Sequence, residues 1–225
     1  MQAAPSFRDL TLKDFAARLA SSDPVPGGGS ASAVSAALAA SLVAMVATLS
    51  QNRPKYAHHA DLHEVALPAA QRLADELFEL ADEDARAYAA CAIALKLPRE
   101  AFADKEVRDA QVRATARVAA EVPLRCVERC REVLVLAEAL AGRSNANASS
   151  DLRVAALLTH AAGHGAAENV LVNIPLIGTD DWTRGAEARV AELLGELATL
   201  AQRVHDIVAG GEQREPVAAL PEIAA

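Results

Sequence analysis

The sequence predicts an all-α protein, a single-domain bundle of about seven helices with no significant sheet. Alanine occurs along the whole chain and aromatic residues make up only 3% of it, which favours helices that approach one another closely. Glycine and proline are few and grouped, as expected where they separate long helices. No internal repeat and no alternation of strands with helices is present, so we expect one helical domain over residues 6–208 and a flexible tail over 209–225.

Helical periodicity and end signals predict the helices in order. Their expected bounds are 12–20, 31–50, 58–95, 100–121, 123–140, 151–162 and 182–208. Thr11 and Ser30 are suited to cap the first two, because a side-chain oxygen at that position accepts a hydrogen bond from the first turn. Pro68 is expected to kink the third helix or to begin a new one, and Pro123 to begin the fifth.

The stretch after residue 162 is harder to assign. Gly163 and Gly165 are expected to loosen the helix, since glycine is a poor helix former. Residues 170–174 are the one β-branched run of the chain, but a lone strand has no partner. We therefore expect an extended or helical buried segment there.

The composition argues against nucleic acid and membrane as partners. The formal net charge is −8 and no long basic run occurs, whereas phosphate binding relies on clustered Lys and Arg. Residues 31–49 are long enough to span a bilayer, but their alanine and serine content suits a buried helix better. Residues 1–15 lack the basic and apolar regions of a signal peptide. Three cysteines are too few for a disulfide framework, which indicates a reducing, cytoplasmic setting.

A glycine-rich turn, Gly27-Gly28-Gly29-Ser30, is the first segment with the properties of a ligand site. Where such a turn opens a helix, free backbone N–H groups and the positive end of the helix dipole form an anion site. No Gly-Lys-Ser/Thr follows and no strand precedes the turn, so a nucleotide-binding loop is excluded. The alternative is a close helix crossing that needs bare backbone, and the residues alone leave both open.

Three consecutive carboxylates, Asp82, Glu83 and Asp84, lie on a predicted helix. Successive helical residues point about 100° apart, so the three cannot all face solvent. An inward carboxylate among alanines would be desolvated and suited to general acid–base catalysis. The alternative is a solvated face on which Arg86 pairs with Asp82 at i, i+4.

Further polar residues are candidates for a ligand pocket, with turns, caps or structural networks as the alternative. They are Lys55, Tyr56, Lys96, Asn145, Asn147, Asp151, Asn169 and Asn173. The six histidines show no metal-binding pattern, because neither His58, His59 and His63 nor the pair His160 and His164 has an H-E-x-x-H arrangement. We therefore expect no metal.

Seven segments together resemble one known family in order and spacing, although each is weak alone. They are residues 24–30, 55–56, 82–88, 96–98, 122–124, 145–151 and 169–173. Over about residues 6 to 208 the chain resembles the formiminotetrahydrofolate cyclodeaminase / methenyltetrahydrofolate cyclohydrolase family. The family's catalytic aspartate is the second of its Asp-x-Asp-Ala motif, which is Asp84 here.

The resemblance implies an all-α homodimer or larger assembly without metal or tightly bound cofactor. Its substrate would be a tetrahydrofolate derivative, with or without a polyglutamate tail. Asp84 would transfer protons and Asp82 would tune it. Lys55, Lys96 and the glycine turn 27–30 would hold the glutamate carboxylates. The remaining polar candidates would line the pocket: Tyr56, Asn145, Asn147, Asp151, Asn169 and Asn173.

Three functions remain open at this point. The first is a formiminotetrahydrofolate cyclodeaminase, which releases ammonia and forms 5,10-methenyltetrahydrofolate. The second is a methenyltetrahydrofolate cyclohydrolase, in which the same carboxylate would activate water and the product is 10-formyltetrahydrofolate. The third is a folate-binding or scaffold subunit without activity, against which the retained Asp84 argues.

Overall fold

The computed structural model describes residues 6–98, 100 and 102–221. Over these residues the chain forms six α-helices and no strand, which confirms the all-α class. The helices are α1 (Leu12–Leu19), α2 (Gly28–Ser50), α3 (Ala60–Leu95), α4 (Phe102–Leu140), α5 (Ser149–Ile177) and α6 (Asp181–Gly210). Short 3-10 turns precede α1, α3 and α5, and they are Phe7–Asp9, Pro54–His59 and Ala146–Ala148.

Helices α2 to α5 form a bundle in which consecutive helices run antiparallel. Ser30 at the start of α2 contacts Asp84 in the C-terminal half of α3. Gln51, just after α2, approaches the carbonyl of His63 near the start of α3. Helix α2 contacts α3, α4 and α5, and α6 packs against α4 and α5. The two ends of α2 therefore lie at opposite ends of the bundle.

The buried face of α2 consists mostly of alanines, among them Ala33, Ala36 and Ala40. Small side chains at a contact shorten the distance between helix axes, which depends on the residues that meet there. By length and composition alone α2 could also cross a membrane, and half of its most apolar window is buried in the bundle. A helix buried in a soluble bundle has the same composition.

The predicted break at Pro123 is wrong, which is why the described residues form six helices rather than about seven. Pro123 lies inside α4, and α3 likewise continues past Pro68. A proline in a helix interior removes one backbone hydrogen bond and costs roughly 3 kcal/mol. Val122 and Cys126, on either side of Pro123, are buried in the core. Packing on both sides therefore outweighs the local cost.

The expected loosening at Gly163 and Gly165 is also wrong, since both lie inside the continuous helix α5. A Cβ on Gly163 would lie 2.3 Å from Leu197 Cδ1 of α6, and one on Gly165 would lie 2.4 Å from Ser32 Oγ of α2. The two glycines thus allow close helix crossings. The β-branched run 170–174 belongs to the same helix, so the helical alternative is confirmed there. The expected burial is wrong for part of the run, because Leu171 and Val172 are exposed on the outer face of α5 and only Val170 is fully buried.

One of the two predicted caps is confirmed. The Thr11 hydroxyl accepts a hydrogen bond from the backbone N–H of Asp14, as predicted. Ser30 does not cap α2, because the helix begins two residues earlier and Gly27 is its N-cap without a side-chain bond. The hydroxyl of Ser30 points to α3 instead, at 2.8 Å from Asp84.

The segment after α6 contacts the loop between α4 and α5. The backbone N–H of Arg214 donates to the carbonyl of Gly142 at 2.8 Å. Arg143 donates from Nε to the carbonyl of Glu215 at 2.6 Å, and Val217 packs against the core. Flexibility of residues 209–225 remains a prediction, but part of this segment has specific partners.

Candidate active site

The glycine-rich turn forms the N-terminus of α2. Gly27 has an extended backbone, and Gly28, Gly29 and Ser30 make up the first helical turn. The N–H groups of a first turn have no partner within their helix, so they are free to bind an acceptor. The positive end of the α2 dipole therefore points at whatever lies beside this turn.

Asp84 of α3 is the acceptor that lies there. Its Oδ2 is 2.8 Å from the hydroxyl of Ser30, a residue without solvent exposure. A Cβ on Gly29 would lie 2.2 Å from Asp84 Oδ1 and 2.6 Å from its Cγ, so only glycine lets the carboxyl group come this close. The close-crossing interpretation of Gly29 is confirmed.

The environment of Asp84 favours its protonated form. Burial raises the pKa of the Asp84 carboxyl, while the hydroxyl and the backbone N–H of Ser30 act to lower it. The Ser30 hydroxyl also lies 3.1 Å from the carbonyl of Ala81. It is able to donate to the carboxylate, or to turn to Ala81 and accept from the protonated acid. Such a carboxyl group is equipped to accept and to release a proton.

Asn169 of α5 completes this cluster. A Cβ on Gly28 would lie 3.5 Å from Asn169 Nδ2, so the amide borders the glycine turn. Nδ2 of Asn169 donates to the carbonyl of Gly165 at 2.8 Å. One turn further along α5, Asn173 donates to the carbonyl of Asn169 at 2.8 Å and to that of Ala119 in α4 at 3.1 Å. We call Gly28, Gly29, Ser30, Asp84 and Asn169 the Asp84 site.

The three consecutive carboxylates have different surroundings. Asp82 accepts hydrogen bonds from the Ser6 hydroxyl at 2.5 Å and the Phe7 backbone N–H at 2.9 Å, so it holds the N-terminal segment. Glu83 forms an ion pair with Arg125 of α4. Of these three carboxylates, Asp84 is the one that forms a hydrogen bond with the glycine turn. A tuning role for Asp82 stays a prediction, and burial and Ser30 are the causes of the shifted Asp84 pKa.

A second group of predicted residues lies at the other end of α2. A cavity of about 450 Å³ is lined by the Tyr56 ring and by polar residues, among them Ser50, Arg53 and His63, and we call it the Tyr56 pocket. Tyr56 is 4% exposed, and its hydroxyl accepts a hydrogen bond from the backbone N–H of Ala146 at 3.0 Å. Arg53 and Glu64 both line the cavity, so it contains one residue of each charge sign.

Asn145 and its neighbours connect the Tyr56 pocket to the loop between α4 and α5. The Asn145 backbone N–H donates to Ser50 Oγ at 2.8 Å, and its Nδ2 donates to the carbonyl of Leu49 at 3.3 Å. Asn147 is exposed, and its N–H donates to Asn145 Oδ1 at 3.1 Å. Asp151 lies in the first turn of α5. Asn145 is thus a structural amide that contacts Ser50 of the pocket lining from outside the cavity.

The two predicted lysines lie on the surface. Lys55 Nζ is 5.5 Å from the centre of the Tyr56 ring, beside the pocket. Lys96 is the exposed C-cap of α3. At a rise of about 1.5 Å per residue, Lys96 is about 18 Å along α3 from Asp84. Within one chain, Lys96 is thus remote from the carboxyl group.

The predicted site residues therefore form two groups rather than one. Ser30 and Ser50 belong to the two groups, and at 1.5 Å per residue they are about 30 Å apart along α2. Sequence reasoning missed Ser50 and His63 because both lie in ordinary helical sequence. Among the described residues no group of three His, Cys, Asp or Glu side chains is placed to hold a metal ion.

The fold is a helical bundle, and in the Asp84 site one desolvated carboxyl group lies beside a helix N-terminus. A carboxyl group in this environment is suited to general acid–base catalysis. The sequence matches the formiminotransferase-cyclodeaminase family over residues 11–192. The chain belongs to this family of folate-processing enzymes.

Individual relatives agree with this assignment. A methenyltetrahydrofolate cyclohydrolase from Methylorubrum extorquens is 40% identical over 202 residues, which cover 88% of this chain and 95% of the relative. A formimidoyltransferase-cyclodeaminase from Mus musculus is 32% identical over 199 residues, covering 88% of this chain but only 37% of the mouse protein. The crystal structure of a formiminotetrahydrofolate cyclodeaminase from Thermotoga maritima superposes with a TM-score of 0.82 at 27% identity, over 90% of this chain and 98% of that one.

Proposed function

We propose that this chain is an enzyme that acts at the one-carbon group of a tetrahydrofolate derivative, with Asp84 as its general acid and base. The observation that carries the proposal is the position of Asp84, whose carboxyl group is buried against the bare backbone of Gly29. An acid–base group is the minimum that either reaction of this family requires. The Asp84 carboxylate also stabilises the positive charge of the methenyl bridge.

The first reaction we propose is hydrolysis of the methenyl bridge. Asp84 takes a proton from water as the oxygen bonds to the methenyl carbon, and the bond from this carbon to N5 then breaks. Asp84 delivers this proton to N5, the second proton of the former water is released to solvent as the C=O bond of the formyl group forms, and the product is 10-formyltetrahydrofolate. Identity of 40% to a cyclohydrolase, over nearly the whole length of both chains, favours this reaction.

The second candidate is the cyclodeaminase reaction. N10 attacks the formimino carbon, the bond from that carbon to the amino nitrogen breaks, and protonated nitrogen leaves as ammonia. Asp84 would accept the proton of N10 and deliver it to the leaving nitrogen. The structural match to a cyclodeaminase supports this candidate, because that chain is covered over 98% of its length.

We assign the folate's acidic part to cationic residues and its polar ring to amides. Arg53 and Lys55 at the Tyr56 pocket are placed to bind glutamate carboxylates, and Lys96 remains a further candidate. Asn169 borders the glycine turn, where a polar ring would meet Asp84. The proposal needs no resident cofactor or metal, because proton transfer and charge stabilisation come from the chain itself.

We further propose that the chain works as a homodimer in the cytoplasm. α2 and α5 expose large apolar side chains, including Leu38 and Met45 on α2 and Leu157 on α5, which is 68% exposed. Exposed apolar faces of this kind mark interaction surfaces. Two α2 helices paired antiparallel about a twofold axis would bring the Tyr56 pocket of one chain towards the Asp84 site of the other.

The described cysteines are free thiols, which fits a reducing compartment.

The deciding experiment follows the absorbance of the methenyl chromophore with purified protein. Accelerated loss of methenyltetrahydrofolate without turnover of formiminotetrahydrofolate establishes the cyclohydrolase. Growth of the chromophore from formiminotetrahydrofolate establishes the cyclodeaminase. No change with either compound, in a protein that is folded by circular dichroism, overturns the proposal and leaves a folate-binding or scaffold subunit.

Sedimentation of wild type against Leu157→Asp tests the dimer, which the variant should weaken.

A further inference from the structure

The C-terminal segment and the Tyr56 pocket are connected through a single loop. This loop, residues 141–148, joins α4 to α5 and contains the 3-10 turn Ala146–Ala148. On one side of the loop lie the polar side chains of the Tyr56 pocket. On the other side lies the segment 212–217, which follows α6.

Three lining residues of the pocket bond to three residues of this loop. His63 Nε2 donates to the carbonyl of Arg143 at 3.0 Å, which also fixes the ring tautomer. Ser50 Oγ accepts from the N–H of residue 145 at 2.8 Å, and the Tyr56 hydroxyl accepts from the N–H of residue 146 at 3.0 Å. The position of the loop backbone therefore sets the positions of all three polar groups.

The segment 212–217 holds this loop with charged hydrogen bonds. The Arg214 guanidinium donates to the carbonyls of Glu138 and Ala141 at 2.9 and 3.3 Å and to Glu138 Oε1 at 3.0 Å. Its backbone N–H donates to the carbonyl of Gly142. Hydrogen bonds to charged groups are stronger than neutral ones. These bonds tie the segment to the end of α4.

The loop is shaped to receive the segment. Gly142 has a φ of 72°, a conformation that side chains rarely adopt, and a Cβ there would lie 2.9 Å from both Arg214 Cγ and Glu212 O. Arg143 is 8% exposed and donates to the carbonyl of Glu215. Burial and the charge of Arg214 lower the pKa of the Arg143 guanidinium. Because the group is buried, backbone carbonyl groups take the place of water as its hydrogen-bond acceptors.

We propose that residues 212–217 are a strap that positions the walls of the Tyr56 pocket, with Arg214 as the positioning residue. The strap lies beyond residue 192, where the match to the family model ends. The inference rests on the proposed function in one respect, namely that the pocket binds the acidic part of the folate. The described polar contacts of the strap are to the end of α4 and to the loop 141–148 and not to the Asp84 site, so the strap should affect substrate binding and not the chemical step.

The test uses full-length protein with Arg214→Ala, the conservative variant Arg214→Lys and the control Arg203→Ala, an exposed arginine of α6. We expect Arg214→Ala to raise KM for the folate at least about fivefold while kcat stays within about twofold. Arg214→Lys keeps the charge beside Glu138 and should restore part of the loss. Arg203→Ala should match wild type. An unchanged KM in Arg214→Ala, or an equal rise of KM in the control, overturns the strap.

Hydrogen exchange followed by mass spectrometry separates this inference from the proposed function. In Arg214→Ala we expect faster exchange at residues 143–148 and 54–59, with α2 near Asp84 unchanged. This readout needs no activity, so it applies even where the wild type turns over neither folate. Faster exchange in those two segments then supports the strap while the proposed function has failed. Exchange equal to wild type overturns the strap whether or not the protein is an enzyme.

Discussion

The two ends of α2 carry two different kinds of site. At its N-terminus, the bare backbone of Gly29 allows the Asp84 carboxyl group of α3 to come close to the first turn of α2, where it is desolvated. At its C-terminus, hydroxyl, imidazole and amide groups surround an open cavity that Arg53 and Glu64 also line. The first arrangement perturbs a proton equilibrium, whereas the second positions hydrogen-bonding groups. This difference is the reason why we propose the Asp84 site for the chemical step and the Tyr56 pocket for binding.

The largest loss of kcat should come from replacing the Asp84 carboxyl group. Asp84→Asn keeps the shape but cannot accept a proton from the substrate, and general acid–base groups contribute about 10²–10⁴-fold. Because the folded state raises the pKa of Asp84, its charged form costs stability at neutral pH, and this cost is lost in the variant. We therefore expect kcat to fall by that factor while the melting temperature holds or rises.

Asp82→Asn is the matched comparison for this variant, since it lies two residues away on α3. It should lose about 1 kcal/mol of stability through its bonds to Ser6 and Phe7, with kcat reduced at most about tenfold. Kinetics and thermal unfolding of both variants measure the contrast. Equal loss of kcat in the two variants would contradict the separate roles of the carboxylates.

A single methyl group at Gly29 should have the next largest effect. In Gly29→Ala the new Cβ would meet Asp84 Oδ1 at 2.2 Å, so the carboxyl group must move away from Ser30. Misplacement of a reacting group by about 1 Å costs up to about 10²-fold in rate. In Gly28→Ala the nearest atom is Asn169 Nδ2 at 3.5 Å, an ordinary contact, so a much smaller loss is expected. Similar kcat values for the two variants would contradict this explanation of the glycine turn.

The sequence predicts the fold and the Asp84 site better than the layout of the pocket. The local patterns show a bare turn and three adjacent carboxylates of which at least one faces inward, and the resemblance to the family singles out Asp84 among the three. Pro123 and Gly163 misled the helix count, since their effect depends on the helices packed around them. The distance between Asp84 and Tyr56 could not be read at all, because motif order carries no information on which helix end each motif occupies.

The contrast between chemistry and binding can be sharpened at the pocket. Tyr56→Phe removes the acceptor for the N–H of Ala146 and leaves that donor without a partner, which costs about 1–3 kcal/mol of stability. We expect KM for the folate to rise a few-fold with kcat nearly unchanged. Tyr88→Phe, at a tyrosine that is 48% exposed, is the control and should leave KM as in wild type. A fall in kcat at constant KM would place Tyr56 in the chemical step instead.

The smallest effect concerns pH and a histidine behind the Tyr56 pocket. His59 is 2% exposed, and neither of its ring nitrogens has a hydrogen-bond partner in the described structure. Burial lowers its pKa to about 4, with smaller contributions from the charges of His58, His63 and Arg143. Because the unfolded chain binds a proton near pH 6.5 and the folded one does not, stability should fall between pH 6.5 and 4.

His59→Phe should remove this dependence. The phenyl ring has no proton to bind and leaves no polar group unpaired, so the variant should be more stable than wild type at both pH 8 and pH 5, with the larger difference at pH 5. Urea unfolding at the two pH values measures the difference, which linkage limits to about 1.4 kcal/mol per pH unit. The rate at saturating folate should stay as in wild type, because this histidine lies at the binding end of α2 and Asp84 at the other. A variant as sensitive to acid as the wild type would show that other groups set the pH dependence of folding.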